Sequence, residues 1–104
     1  MPTRAGPALG RRLNVPLKKY KLELTRQAES VLRQIADRER GLYQRIANVL
    51  DSLETDPFQG KALKGTLKGF HSYRVGSYRV IYRIFQSRLL VMVIDVGHRR
   101  DIYR

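Results

Sequence analysis

Between Phe70 and Val96 apolar and polar side chains alternate through three stretches, Phe70–Val75, Ser77–Phe85 and Arg88–Val96, with only short breaks between them. A period of two marks half-buried strands. Gly76-Ser77 and Gln86-Ser87 read as two-residue hairpin turns. Strands joined by turns that short pair antiparallel. This run therefore commits the second half of the chain to a sheet with one buried face. Such a face needs a cover, and the sequence upstream supplies it. Tyr20–Leu24 alternates as a fourth strand, and Thr25 stands as an N-cap before Ala28, Val31, Leu32 and Ile35 at helical spacing. Asp37 is placed to cap a second helix striped by Leu42, Ile46, Val49, Leu50 and Leu53, which Asp56-Pro57 ends. The order βααβββ predicts a small α+β domain, an antiparallel sheet with two helices packed on one face.

A chain of 104 residues holds one such core. Residues 1–16, punctuated by Pro2, Gly6, Pro7, Gly10 and Pro16, read as a disordered basic arm, leaving residues 17–104 as the folded domain. Cysteine is absent, which removes disulfides, thiolate metal sites and a thiol nucleophile and fits a reducing cytoplasm. No apolar run is long enough to suggest a membrane span or a secretory signal, so a cytoplasmic protein without a membrane partner is expected.

Charge indicates the partner. Lys and Arg number 21 against 9 Asp and Glu, a net charge of +12. Residues 20–56 are nearly balanced, with six basic and seven acidic side chains, whereas residues 57–104 carry ten basic and two acidic ones. The excess lies on the strand-forming half, and a concentrated cationic field selects a polyanion.

The first hairpin concentrates it further. With Gly76-Ser77 as the turn, Val75 opposes Tyr78, Arg74 opposes Arg79 and Tyr73 opposes Val80. Opposed residues share a face, so Arg74 and Arg79 stand side by side, and Arg83 follows on the same face. Tyr73, Val75, Tyr78, Val80, Tyr82 and Ile84 fall on the other face, toward the helices. Like charges directly opposed destabilise a strand pair, and an anionic ligand explains why they are there. The last strand returns toward Gly76, so His98, Arg99, Arg100 and Tyr103, after Gly97, are expected beside Arg74 and Arg79. Lys61, Lys64 and Lys68, set among Gly60, Gly65 and Gly69, form a basic connector suited to phosphates.

These side chains suit cleavage of RNA by its own 2′-hydroxyl. Guanidiniums stabilise the charge that develops on the phosphorane. Arginine stays protonated, so proton abstraction falls to His98, Tyr103, His71 or water. DNA lacks the attacking hydroxyl. Two histidines without ligand spacing, and no phosphate loop, point to no metal and no small-molecule cofactor.

Leu63-Lys64-Gly65, the hairpin Tyr73-Arg74-Val75-Gly76-Ser77-Tyr78-Arg79-Val80-Ile81-Tyr82 and the ending Val96-Gly97-His98-Arg99-Arg100-Asp101-Ile102-Tyr103 resemble the RelE branch of the RelE/ParE toxin superfamily. The resemblance runs from about Lys19 to Arg104. It implies a RelE-like fold and a toxin of a type II toxin–antitoxin system. The implied activity is ribosome-dependent, metal-independent endonucleolytic cleavage of mRNA in the decoding site. The implied partners are a cognate acidic antitoxin, mRNA and the ribosome with its rRNA. Within it Arg79 matches the arginine that clamps the scissile phosphate, and Arg99 the one linked to leaving-group stabilisation. Tyr103 matches the tyrosine that contacts the substrate base, and Arg74 takes the place of an electrostatic helper to 2′-hydroxyl activation. Lys61, Lys64, Lys68, Arg83 and Arg100 are assigned to RNA and ribosome binding. Ser72 departs from the pattern, standing where many relatives carry another basic residue.

Two other functions fit the same fold. A ParE-like poison of DNA gyrase needs no ribonuclease site. A non-enzymatic RNA-binding module predicts salt-sensitive affinity without cleavage.

Overall fold

A computed structural model describes residues 18–98. Strand β1 (Lys21–Leu24) leads into helices α1 (Arg26–Arg38) and α2 (Arg40–Leu53), and a short strand β2 (Lys61–Ala62) follows. Strands β3 (Phe70–Val75), β4 (Tyr78–Phe85) and β5 (Leu90–His98) complete a five-stranded sheet of order β1-β5-β4-β3-β2. Two helices and four strands were legible from periodicity. The two-residue β2 was not, because it lies in the glycine- and lysine-rich connector and pairs only Lys61 with Ser72 and Ala62 with His71.

Three details depart from the sequence reading. First, β1 joins β5 in parallel, so the sheet is mixed rather than wholly antiparallel. The helical pair carries the chain away from β1, and β1 takes the free side of β5, Lys21 donating to Leu89 and Thr25 to Val93. Second, Asp37 does not cap α2: it lies in the last turn of α1, and Glu39 separates the helices with its N–H on the Ile35 carbonyl. Third, the β4–β5 connection is a 3-10 turn over Gln86–Arg88 followed by Leu89 at φ 48°, rather than a two-residue turn.

Thr25 does cap α1, as expected: its Oγ1 accepts from the Ala28 N–H at 3.1 Å and donates to the Ile94 carbonyl at 2.7 Å. One side chain thus ends β1, starts α1 and ties both to β5.

The core lies between the helices and one face of the sheet. Ala28, Leu32 and Ile35 of α1 and Leu42, Ile46, Leu50 and Leu53 of α2 meet Val75, Val80, Tyr82, Val91, Val93 and Val96. The first hairpin has the expected register, with Val75 opposite Tyr78 and Arg74 opposite Arg79. Gly76, at φ 61°, supplies the positive φ that the first central position of such a turn demands. The β4–β5 ladder slips by one residue: Tyr82 pairs with Val93 but Ile81 with Asp95, which leaves Ile94 as a bulge. Among the described residues no helix is long and apolar enough to cross a membrane.

Tyr82 links this core to the connector. Its fully buried hydroxyl donates to the Pro57 carbonyl at 2.8 Å and accepts from the Gly60 N–H at 3.0 Å. Burial pushes its pKa up to about 12. Gly60 passes so near that a Cβ there would lie 2.4 Å from the Tyr82 hydroxyl and 2.7 Å from the Ser72 carbonyl. The approach sets Lys61 against Ser72 at the edge of the sheet.

Candidate functional site

Side chains alternate across a strand, so the face turned away from the helices carries Ser72 and Arg74 from β3 and Arg79, Ile81 and Arg83 from β4. Arg74 and Arg79 stand directly opposed, and their hydrogen bonds show how the repulsion is eased. Arg74 turns toward the hairpin end, its Nε 3.4 Å from the Gly76 carbonyl. Arg79 turns the other way, and its Nη1 donates to the Ser72 hydroxyl at 3.1 Å. Ser72 is 2% exposed and is the buried polar side chain of this face. Its neutral hydroxyl orients Arg79, where a charged side chain would repel it.

Arg79 forms the wall shared by two shallow concavities. One, of about 480 Å³, is lined by Lys61, Ala62, Leu63, Lys64 and Leu67 with Arg79. The other, of about 490 Å³, is lined by Gln59, Gly60, Lys61, Ser72, Tyr73 and Arg74 with Arg79. Lys61 belongs to both, so two lysines and two arginines border the joined depression. An anion seated there meets charge-assisted donors from several directions. Among the described residues no three His, Cys, Asp or Glu side chains gather closely enough to hold a metal ion.

The expected constellation is only partly assembled. Arg74, Arg79, Lys61 and Lys64 converge. Lys68 is exposed beyond the 3-10 turn Gly65–Leu67 and lines neither concavity. Arg83 keeps the predicted face but lies four residues along β4, roughly 13 Å from Arg79 at strand rise, over the rings of Phe70 and Phe85. His98 is a correction. It pairs with Tyr78 and meets that ring edge-on, with centroids 5.8 Å apart, and it shares a crevice with Gln27 and Val31 of α1. It therefore stands on the helix side of the sheet, because the Ile94 bulge shifts the end of β5 by one position. His71 is on that side too, stacked on Tyr82 at 5.5 Å, and burial lowers its pKa. Neither imidazole shares a face with Arg79, which leaves Tyr103 or water among the bases considered. Arg99, Arg100 and Tyr103 lie outside the described residues, as does the arm 1–16.

Sequence reasoning missed Ser72, and it placed Lys61 among the binding residues without the strand that carries it. Ser72 was read as a lost charge, although its place two residues before Arg74 already put it on the same face. Lys61 was read as loop, although the alternation of Lys61 and Ala62 is too short to announce a strand.

A two-helix layer on a five-stranded sheet, with a cationic depression on the face turned away from the helices, is the architecture of a small toxin class, and comparison with known proteins agrees. The family model for the ParE toxin of type II toxin–antitoxin systems matches residues 22–103, and the chain belongs to that family, within the RelE/ParE superfamily. Toxin RelG of Mycobacterium tuberculosis is 43% identical over 53 residues, which cover 50% of this chain and 61% of that toxin. The chain thus aligns with under two thirds of that relative's length. Among solved structures, the toxin–antitoxin complex RelBE2 from Mycobacterium tuberculosis matches with a TM-score of 0.67 at 30% identity, over 82% of this chain and 100% of that one. The archaeal RelE–RelB complex from Pyrococcus horikoshii matches with a TM-score of 0.64 at 25% identity, over 78% and 96%.

Proposed function

We propose that this chain is a cytoplasmic toxin of the RelE kind that cleaves mRNA on the ribosome and is held inactive by an acidic antitoxin. The observation that carries this reading is Arg79, oriented by Ser72 at the shared wall of a depression bordered by Arg74, Lys61 and Lys64. Arg79 would hold the scissile phosphate through its planar fork, and Arg74 would add positive charge beside the attacking 2′-hydroxyl. As that oxygen bonds to phosphorus and the 5′-oxygen departs, Arg99 would stabilise the leaving oxygen. Tyr103 would hold the neighbouring base, and Lys61, Lys64, Lys68 and Arg100 would contact RNA backbone. The proton of the 2′-hydroxyl would pass to water or to Tyr103 as its phenolate, and the departing 5′-oxygen would take a proton from water. The products are a 2′,3′-cyclic phosphate and a 5′-hydroxyl.

Primer extension on programmed ribosomes tests this. Cuts that depend on Arg79, with cyclic phosphate ends, are the expected result, and intact mRNA at saturating protein would overturn it. The matched family model is described as a ParE toxin, which favours gyrase poisoning as the second reading. Inducible expression with separate readouts separates the two: translation arrest supports the ribonuclease, whereas altered DNA supercoiling with translation intact supports the gyrase poison.

A further inference from the structure

The open face does not end at Arg79. Farther along β4, Arg83 lies over two rings, 5.5 Å from the centroid of Phe70 directly across the strand pair and 5.4 Å from that of Phe85 two residues on. The 3-10 turn after β4 then brings Arg88 to 5.6 Å from the Phe85 centroid, and Leu89 closes that turn in a left-handed conformation. Cations and rings therefore alternate along the sheet in the order Phe70, Arg83, Phe85, Arg88. Both guanidiniums are exposed and both phenyls are half-buried, so fixed rings hold the positions of solvent-facing cations.

Two like charges within 6 Å of one ring repel each other. Among the described residues the ion pairs are Lys18 with Asp51 and Glu54, and Arg33 with Glu29; none reaches Arg83 or Arg88. A simple anion would relieve the repulsion but would make no use of the rings. A base can stack on a guanidinium plane or an aromatic ring while its phosphate lies beside the charge, and single-stranded nucleic acids are bound in this way.

We infer that Phe70, Arg83, Phe85 and Arg88 form a stacking platform for the bases of single-stranded RNA, on the same face as Arg79 and roughly 13 Å from it at strand rise. This rests on the ribonuclease reading only in taking the bound strand to be the one Arg79 engages. Continuity along one face lets a strand hold a phosphate at Arg79 while nucleotides farther along it stack on the platform.

Fluorescence anisotropy with the full chain tests it, using oligoadenylate RNA and an abasic ribose–phosphate oligomer of equal length. Wild-type protein binds the oligoadenylate about tenfold or more tightly than the abasic oligomer, the scale of one stacked base. The double substitution Arg83→Lys, Arg88→Lys keeps the charge but removes the planar forks, so it narrows that preference several-fold while abasic binding holds. Phe85→Leu does the same, and if it fails to fold the lysine pair still decides. Equal wild-type affinity for the two oligomers, or equal loss for both in the lysine pair, reduces the platform to plain charge and overturns it. So does a lysine pair that weakens binding of polyglutamate, a stand-in for an acidic protein, and leaves oligoadenylate untouched. The two readings fail separately. A protein that cuts mRNA on ribosomes yet ignores bases loses only the platform, and one that prefers bases but never cuts loses only the ribonuclease.

Discussion

The two faces of this sheet share their backbones and almost nothing else. On the helix side, Val75, Val80, Tyr82, Val91, Val93 and Val96 are buried against α1 and α2. On the open side the same strands present Ser72, Arg74, Arg79 and Arg83, with Phe70 and Phe85 between them. The first face follows hydrophobic burial, and its identities are tolerant so long as volume is kept. The second gathers like charges that folding alone would disfavour. Substitutions on the helix side should therefore cost stability, and substitutions on the open side should cost activity at little change in stability.

The sharpest test of that division is Ile46→Ala, which empties a fully buried site of α2. It is expected to destabilise by about 2–5 kcal/mol in chemical denaturation. A loss under about 1 kcal/mol would mean the core is looser than its burial implies. On the other face, Arg79→Ala with Arg99→Ala is expected to slow mRNA cleavage by on the order of a hundredfold or more, with the melting temperature nearly unchanged. Equal damage to both would erase the contrast.

Tyr82→Phe probes where the faces meet. It leaves the buried Pro57 carbonyl and Gly60 N–H without their partner, so a loss of about 1–3 kcal/mol is expected, with weaker RNA binding through a displaced Lys61. A stability loss with RNA affinity intact would show that Lys61 does not depend on this anchor. At Leu89 the left-handed backbone costs a non-glycine residue about 1 kcal/mol. Leu89→Gly should return up to that amount, seen as a melting temperature higher by a few degrees. The smallest effect concerns pH. His71 has its folded pKa lowered by burial, so its neutral form is favoured in the native state. The associated stability is complete above the ordinary imidazole value of about 6.5 and declines as pH falls below it. His71→Phe should flatten that part of the stability profile, and an unchanged slope would assign it elsewhere.

What could be read before folding followed from periodicity. The stripes of both helices, the opposed Arg74 and Arg79 and the inward row from Tyr73 to Ile84 all come from local spacing and one glycine turn. What escaped needs knowledge of distant pairing. The short β2 becomes a strand only because Tyr82, twenty-two residues from Gly60, fastens the connector. Ser72 gains its role from a guanidinium seven residues away across the hairpin. The misplaced His98 shows the same limit. Counting from Gly97 brought His98 to the arginines, but one extra residue in β5 reverses the side on which it arrives.

That extra residue, Ile94, has a consequence for how such a chain can change by single codons. Were Ile94 to pair rather than bulge, the pairing of Tyr82 with Val93 would continue as Ile81 with Ile94 and Val80 with Asp95, and a carboxylate would enter the apolar row beneath the helices. Val96 would leave Val80 for Arg79, and Gly97 would take the place of His98 opposite Tyr78. Loss of the Ile94 triplet would close the bulge and leave Asp95 against Ile81 and Val96 against Val80, so the strand absorbs the deletion without turning over.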